Sequence, residues 1–286
     1  MDEKAQFFYL KPLPLYEVEV PYDNFIDGTS NITIEKPPLQ LVLDIRGREE
    51  EFTLATHGFE YHKRALPAVR WEDEDDIKKV YVEDLKICEV LGSPGARFLC
   101  IPGCAGPTNC FLPFWYMLSP LGVLEWLRRE LGQEETTEIV NNYRVRVIKY
   151  VPLLFPAALK CVRGQLSIRV ISIWRPLVDV VKDVPLAMCD VRTVKPSDLV
   201  GSAHVSGDYV RRNYQVKYSQ EFQFYYLSRM VKEELCVFMV FDSSGVGEER
   251  IRTPPHSAFW HSKQWRSDKH PRESIEVRLL VLSPLE

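Results

Sequence analysis

The chain has 286 residues, 45% of them apolar and 27% charged, and a formal net charge of −4; this is enough for one large domain around a substantial core. No segment concentrates lysine and arginine, so the charge gives no reason to expect nucleic acid, whose binding needs a basic surface. The seven cysteines follow no disulfide spacing and read as reduced thiols. The acidic N-terminus lacks an apolar signal core, so the expected location is cytoplasmic.

In chain order, residues 1–37 read as an extended, proline-rich N-terminal arm. "LQLVLDIRG" (39–47) follows as a strand closed by a turn, and 49–64 as an extended pair around Gly58. The best helix lies at 71–92: Ile77, Val80, Tyr81, Leu85, Cys88 and Val90 fall near helical spacing, acids crowd its start and Gly92 ends it. Residues 98–132 form an apolar, lid-like insertion, helical or irregular, or else a partner surface. Its core, "CFLPFWYMLSPLGVLEWL" (110–127), is interrupted by Pro113 and Pro120 and falls short of the ~20 residues that span a bilayer. No membrane span is expected. Cys100, Cys104 and Cys110 sit nearby in a C-x3-C-x5-C pattern, but zinc needs a fourth ligand and usually tighter pairs.

From residue 143 the pattern turns to strands: "YRVRVIKYV", 166–174, 216–228, 236–244 and 274–282, with a short helix at 230–235. Many β-branched and aromatic strands between turn signals indicate an antiparallel barrel or sandwich with flanking helices, a single domain over 1–286. There is no glycine-rich dinucleotide or phosphate loop and no G-x-S-x-G, which removes the simplest cofactor and hydrolase signatures.

Four stretches occur in a telling order: "LDIRGREEEFTLATHGFEY", "SIWRPLVDVVKDVPLAMCDVRTVKPSDLV", "VKYSQEFQFYYLSRMVKEELCVFMVFDSS" and "PPHSAF…PRESIEVRLLV". Together they resemble the AsaB-type hydroxylase/desaturase family of secondary metabolism, related to cephamycin methoxylase and gibberellin desaturase-like proteins. The resemblance covers about residues 39–282 and implies a double-stranded β-helix, the jelly-roll barrel of Fe(II)/2-oxoglutarate oxygenases. It further implies iron on a His-x-Asp pair and a distant His, a facial triad with open positions. The distant His matches His256. Arg272 is the candidate for the 2-oxoglutarate carboxylate, which a planar guanidinium fork suits; Arg278 belongs to the same run and could instead support the barrel.

The other half of that triad is missing. By family spacing the His-x-Asp pair belongs near "TEIVNNYR", where Ile139 and Asn141 stand. None of the six histidines is followed two residues later by Asp or Glu. Isoleucine has no lone pair, and one imidazole does not hold Fe(II) against water. Phe222 likewise stands where the family usually carries a His. His204, His261 and His270 are the remaining candidates for rebuilding a metal site, although His256 and His261 would fall on opposite faces of a continuous strand.

The expected reading is therefore a metal-independent, redox-neutral enzyme of fungal-type secondary metabolism on a repurposed oxygenase fold, without cofactor. It would close or isomerise an apolar terpenoid or polyketide-like substrate, in the sharpest version by an intramolecular [4+2] Diels-Alder cycloaddition, the activity of a pericyclase. Conformer selection and a hydrogen bond to a substrate carbonyl suffice for that. Asn141, His256 and Arg272 are the candidate catalytic residues; Ile139, Phe114, Trp115, Phe222 and Trp174 are candidate substrate contacts. The alternatives are an active Fe(II)/2-oxoglutarate hydroxylase or desaturase and a non-catalytic binding protein; the oligomeric state is open.

Overall fold

The computed structural model describes residues 1–71, 73–82, 84, 166–207, 209–242, 251–260 and 272–284, with short pieces between 97 and 137. Its centre is the eleven-residue strand Leu166–Pro176, flanked antiparallel by Glu234–Asp242 and Ser274–Pro284. The main sheet runs Phe59–Lys63, Glu234–Asp242, Leu166–Pro176, Ser274–Pro284, Arg97–Cys100. Successive side chains of a strand point to opposite faces, which sorts these residues. Ile171, Ile173, Val237, Met239, Ile275, Val277 and Leu279 face outward and bury against Ile77 and Tyr81 of a helical segment. Val170, Trp174, Cys236, Phe238 and Val240 face inward. Burial on both faces is why "ELCVFMVF" is a continuous apolar run.

A second sheet, ordered Glu3–Ala5, Gln40–Asp44, Phe224–Tyr226, Leu186–Cys189, His256–Ala258, closes the other side. Met188 turns into the same inner core as Trp174 and Phe238. Its neighbours Ala187 and Cys189 point out, where Phe7, Tyr9, Phe222, Phe224 and Phe259 cover them. The two facing sheets make a jelly-roll barrel. A third sheet is built on the hairpin Leu199–Ser206/Tyr209–Val216, which the sequence reading did not single out. Gly207, at φ +56, supplies its turn.

Several expected elements differ. Residues 49–57 are helical turns, Glu49–Glu51 and Leu54–His57, and only Phe59–Lys63 is extended. Thr53 caps the second turn by accepting from the Thr56 N–H, and Gly58 ends it at φ +83. The helix expected from 71 begins at Glu74–Asp76 and widens into a π-helical turn at Ile77–Val82; its expected C-terminal half lies outside the described residues. No helix forms at 230–235: the Met230 carbonyl accepts from the Val181 N–H, and Glu234 already starts a strand. Nor is 216–228 one strand, since Tyr209–Val216 and Phe224–Tyr226 belong to different sheets. The arm at 1–37 is largely extended, apart from a helical turn at Pro14–Glu17, and its start contributes to the core: Ala5, Phe7, Tyr9 and Leu10 are buried. Of the 98–132 insertion, the described pieces Pro107–Thr108 and Met117–Leu118 add to sheets, and Leu127 joins the inner core. "YRVRVIKYV", Cys104 and Cys110 lie outside the described residues.

Candidate functional site

The barrel interior is where chemistry-bearing side chains gather. His256 pairs with Met188 across the second sheet, so both project inward. The ring rests on Phe238, with centroids 4.4 Å apart, and Nδ1 lies 3.0 Å from the Pro254 carbonyl. A carbonyl only accepts, so Nδ1 carries the proton and the neutral ring turns a lone pair at Nε2 toward the interior. Burial lowers the pKa of His256, as does Arg278, against the opposing pull of Glu276 and the Pro254 carbonyl. In this neutral state His256 accepts rather than donates. The expectation that it would donate a hydrogen bond to a substrate carbonyl does not match this tautomer.

Opposite it, the Ser274–Pro284 strand carries a polar face. Glu276 pairs with Trp174, and Arg278 with Ser172, so all four point to one side. Ser172 Oγ donates to Glu276 Oε1 at 2.7 Å and Arg278 Nε donates to the same oxygen at 3.0 Å. Burial by itself would raise the Glu276 pKa, but Arg278, His256 and Ser172 outweigh it and the carboxyl is lowered. Glu276 is thus a carboxylate at neutral pH. Its side chain is 28% exposed, so the carboxylate is only partly covered.

Arg272 sits at the rim of the same interior, its guanidinium 5.4 Å above the Trp174 ring. Nη1 donates to the Val184 carbonyl at 2.6 Å, and the backbone N–H of Arg272 reaches Asp183 Oδ2 at 3.1 Å. Burial brings its pKa down to about 10, with Asp183 opposing.

Three of the expected site residues, His256, Arg272 and Trp174, therefore meet in one interior. Phe222 does not join them. It stacks on Tyr9 at 6.0 Å in the core outside the second sheet, so it is separated from His256 by the barrel wall. His204 is equally remote, on the third sheet, stacked on Phe25 at 5.9 Å with Asp23 at 3.9 Å. Phe114, Trp115, Ile139, Asn141, His261 and His270 lie outside the described residues. The residue the sequence reading missed is Glu276. Its signal was the alternation in "SIEVRLLV", which puts Ser274, Glu276 and Arg278 on one face; a polar strand face ordinarily faces water.

An iron centre with 2-oxoglutarate would use His256 Nε2, two further ligands and an arginine for the distal carboxylate. Among the described residues no three His, Cys, Asp or Glu side chains are placed to share a metal. Arg272 already directs one nitrogen to a backbone carbonyl. The described donors fit one imidazole ligand and no triad.

The family model described as "Oxidoreductase/YMDC permease-like domain" matches residues 7–95 and 140–282. The Fe(II)/2-oxoglutarate-dependent dioxygenase nvfI of Aspergillus novofumigatus is 30% identical over 244 residues, covering 83% of this chain and 81% of the relative. Hydroxylase/desaturase efuI of Hormonema carpetanum is 28% identical, covering 89% and 86%. Hydroxylase/desaturase asaB of Aspergillus flavus is 34% identical over a shorter stretch, 39% of this chain and 54% of the relative. A solved structure of the iron and alpha-ketoglutarate-dependent endoperoxidase NvfI superposes with a TM-score of 0.77 at 23% identity. The match covers 99% of this chain and 98% of that one, which establishes the shared barrel.

Proposed function

The chain belongs to the AsaB-type hydroxylase/desaturase family, and from that premise we propose that it is a redox-neutral cyclase or isomerase of secondary metabolism that works without metal or 2-oxoglutarate. One observation carries this reading: no His-x-Asp or His-x-Glu exists in the sequence, and we take Ile139 and Asn141 to occupy the pair's place by family spacing, with His256 as the remaining imidazole. An imidazole without further ligands is a weak metal site, but it remains a useful polar group in a largely apolar interior. Phe238, Trp174, Met188 and Val240 form a packed apolar cluster on the same inner side, a surrounding that suits a terpenoid or polyketide-like substrate. Holding such a chain in one folded conformer removes much of the entropy from the barrier of a ring closure, and an intramolecular [4+2] cycloaddition asks for little more. Phe114, Trp115 and Asn141 are the residues proposed to complete the enclosure.

The test is turnover of unsaturated terpenoid and polyketide-like substrates with chelator present and dioxygen excluded, comparing substrate and product masses. Equal masses and unchanged turnover are expected. A product heavier by oxygen or lighter by two hydrogens, formed only with iron and air, overturns the reading. That second reading, an Fe(II)/2-oxoglutarate oxygenase, draws on one specific feature: His256 presents Nε2 unprotonated to the interior, as a metal ligand would. Elemental analysis after anaerobic iron loading separates the two, with far less than one iron per chain expected.

A further inference from the structure

Within the proposed redox-neutral site, on which this inference rests, two acceptor atoms on the inner face have no hydrogen-bond partner among the described residues. Glu276 Oε1 already accepts from Ser172 and Arg278. Its second oxygen, Oε2, has no hydrogen bond among the described residues, and neither does His256 Nε2. Neither of these two atoms is among the fully buried ones. The two residues are close enough for each to act on the other's charge, and the Phe238 ring under His256 belongs to the residue that pairs with Ser172. Both acceptors thus belong to inner faces of the two facing sheets. Water can satisfy these acceptors while they stay open, and a ligand that covers them must bring its own donor or leave them unpaired at a cost.

We propose that Glu276, seconded by His256, is the substrate-recognition residue of the barrel and that it takes a hydroxyl-bearing substrate, an enol, phenol or alcohol on an apolar body. Ser172 and Arg278 position the carboxylate. Both bond to Oε1, which fixes the plane of the group and leaves Oε2 for the ligand. A carbonyl brought to Oε2 or Nε2 would meet a lone pair, so a carbonyl on this face would have to turn to a donor such as Arg278. The apolar wall of Trp174, Phe238 and Val240 holds the rest of the molecule and keeps water from competing for the carboxylate.

The experiment compares two probes with nearly the same apolar body, 2-naphthol and 2-methoxynaphthalene, binding to the full chain with chelator present, followed by tryptophan fluorescence and calorimetry. The expected result is tighter binding of 2-naphthol by about tenfold or more, because a charged acceptor discriminates strongly against a ligand that lacks the donor. Glu276→Gln should reduce that preference to about twofold while leaving 2-methoxynaphthalene affinity unchanged, which also serves as the control for folding. Equal affinities in the wild-type chain overturn the proposal without any variant. So does a preference that survives Glu276→Gln, or stoichiometric Mn2+ binding that Glu276→Gln abolishes, which would make the two acceptors a cation site. Iron- and air-dependent turnover would overturn the metal-free reading and leave the probe preference standing, so the two failures are distinct.

Discussion

Arg272 separates the energetics of a charge from those of a side chain. Its pKa falls from 12.5 to about 10 because burial outweighs Asp183, a drop that disfavours the charged form by roughly 3 kcal/mol. Against this stand a charge-assisted bond to the Val184 carbonyl at 2.6 Å, worth about 1.5–3 kcal/mol, and the stacking over Trp174, worth about 0.5–2 kcal/mol. The terms nearly cancel. Arg272→Met removes the charge and keeps an apolar stem on the Trp174 ring, so it should change stability by no more than about 1 kcal/mol. Arg272→Ala also strips roughly three methylene-sized groups from that ring and should be about 2–3 kcal/mol less stable than the Met variant. Urea unfolding checks this through the midpoints, provided the m-values agree. If Met proves as destabilising as Ala, the charge is a net stabiliser and the reasoning from burial is wrong.

Gly58 holds φ +83, and a Cβ there would meet Val191 Cγ1 at 2.5 Å and the Arg252 carbonyl at 3.1 Å; Gly58→Ala should therefore cost about 2–4 kcal/mol, and a loss under about 0.5 kcal/mol in the same unfolding assay would refute it. The Arg46 pair with Glu234, one arm at 3.0 Å, contributes to acid sensitivity. Burial tends to raise the Glu234 pKa, but Arg46 and the Val231 N–H prevail and lower it. A carboxyl lowered in the folded state contributes stability that is full above its unfolded pKa of about 4.3 and is lost as pH falls through that value toward the folded one. Glu234→Gln should thus cost about 2 kcal/mol at pH 7, less than a fully buried pair because Arg46 stays a third exposed, and its stability should fall less than wild type between pH 6 and pH 3.5. Parallel curves would show the pair to be neutral.

Strand alternation and apolar runs are local properties, and they were legible: "LSIRVISIW", "CVFMVFD" and "SIEVRLLVL" predicted the three central strands of the main sheet, and the four ordered stretches predicted the barrel. The short elements were not. Residues 230–235 have helical composition, yet Met230 gives its carbonyl to Val181, a partner 49 positions away that no local propensity reveals. The site divides along the same line. The absence of a His-x-Asp or His-x-Glu is fixed by residue order alone, and the proposal of a metal-independent site starts from it. Alternation also put Ser274, Glu276 and Arg278 on one face of a strand, but a period of two does not say which face meets water. Only the closing of the second sheet over the first turned that face inward, put Glu276 and His256 on inner faces of the same barrel, and left Phe222 and His204 outside the wall, because the choice between lumen and solvent depends on strands paired across the whole length of the chain.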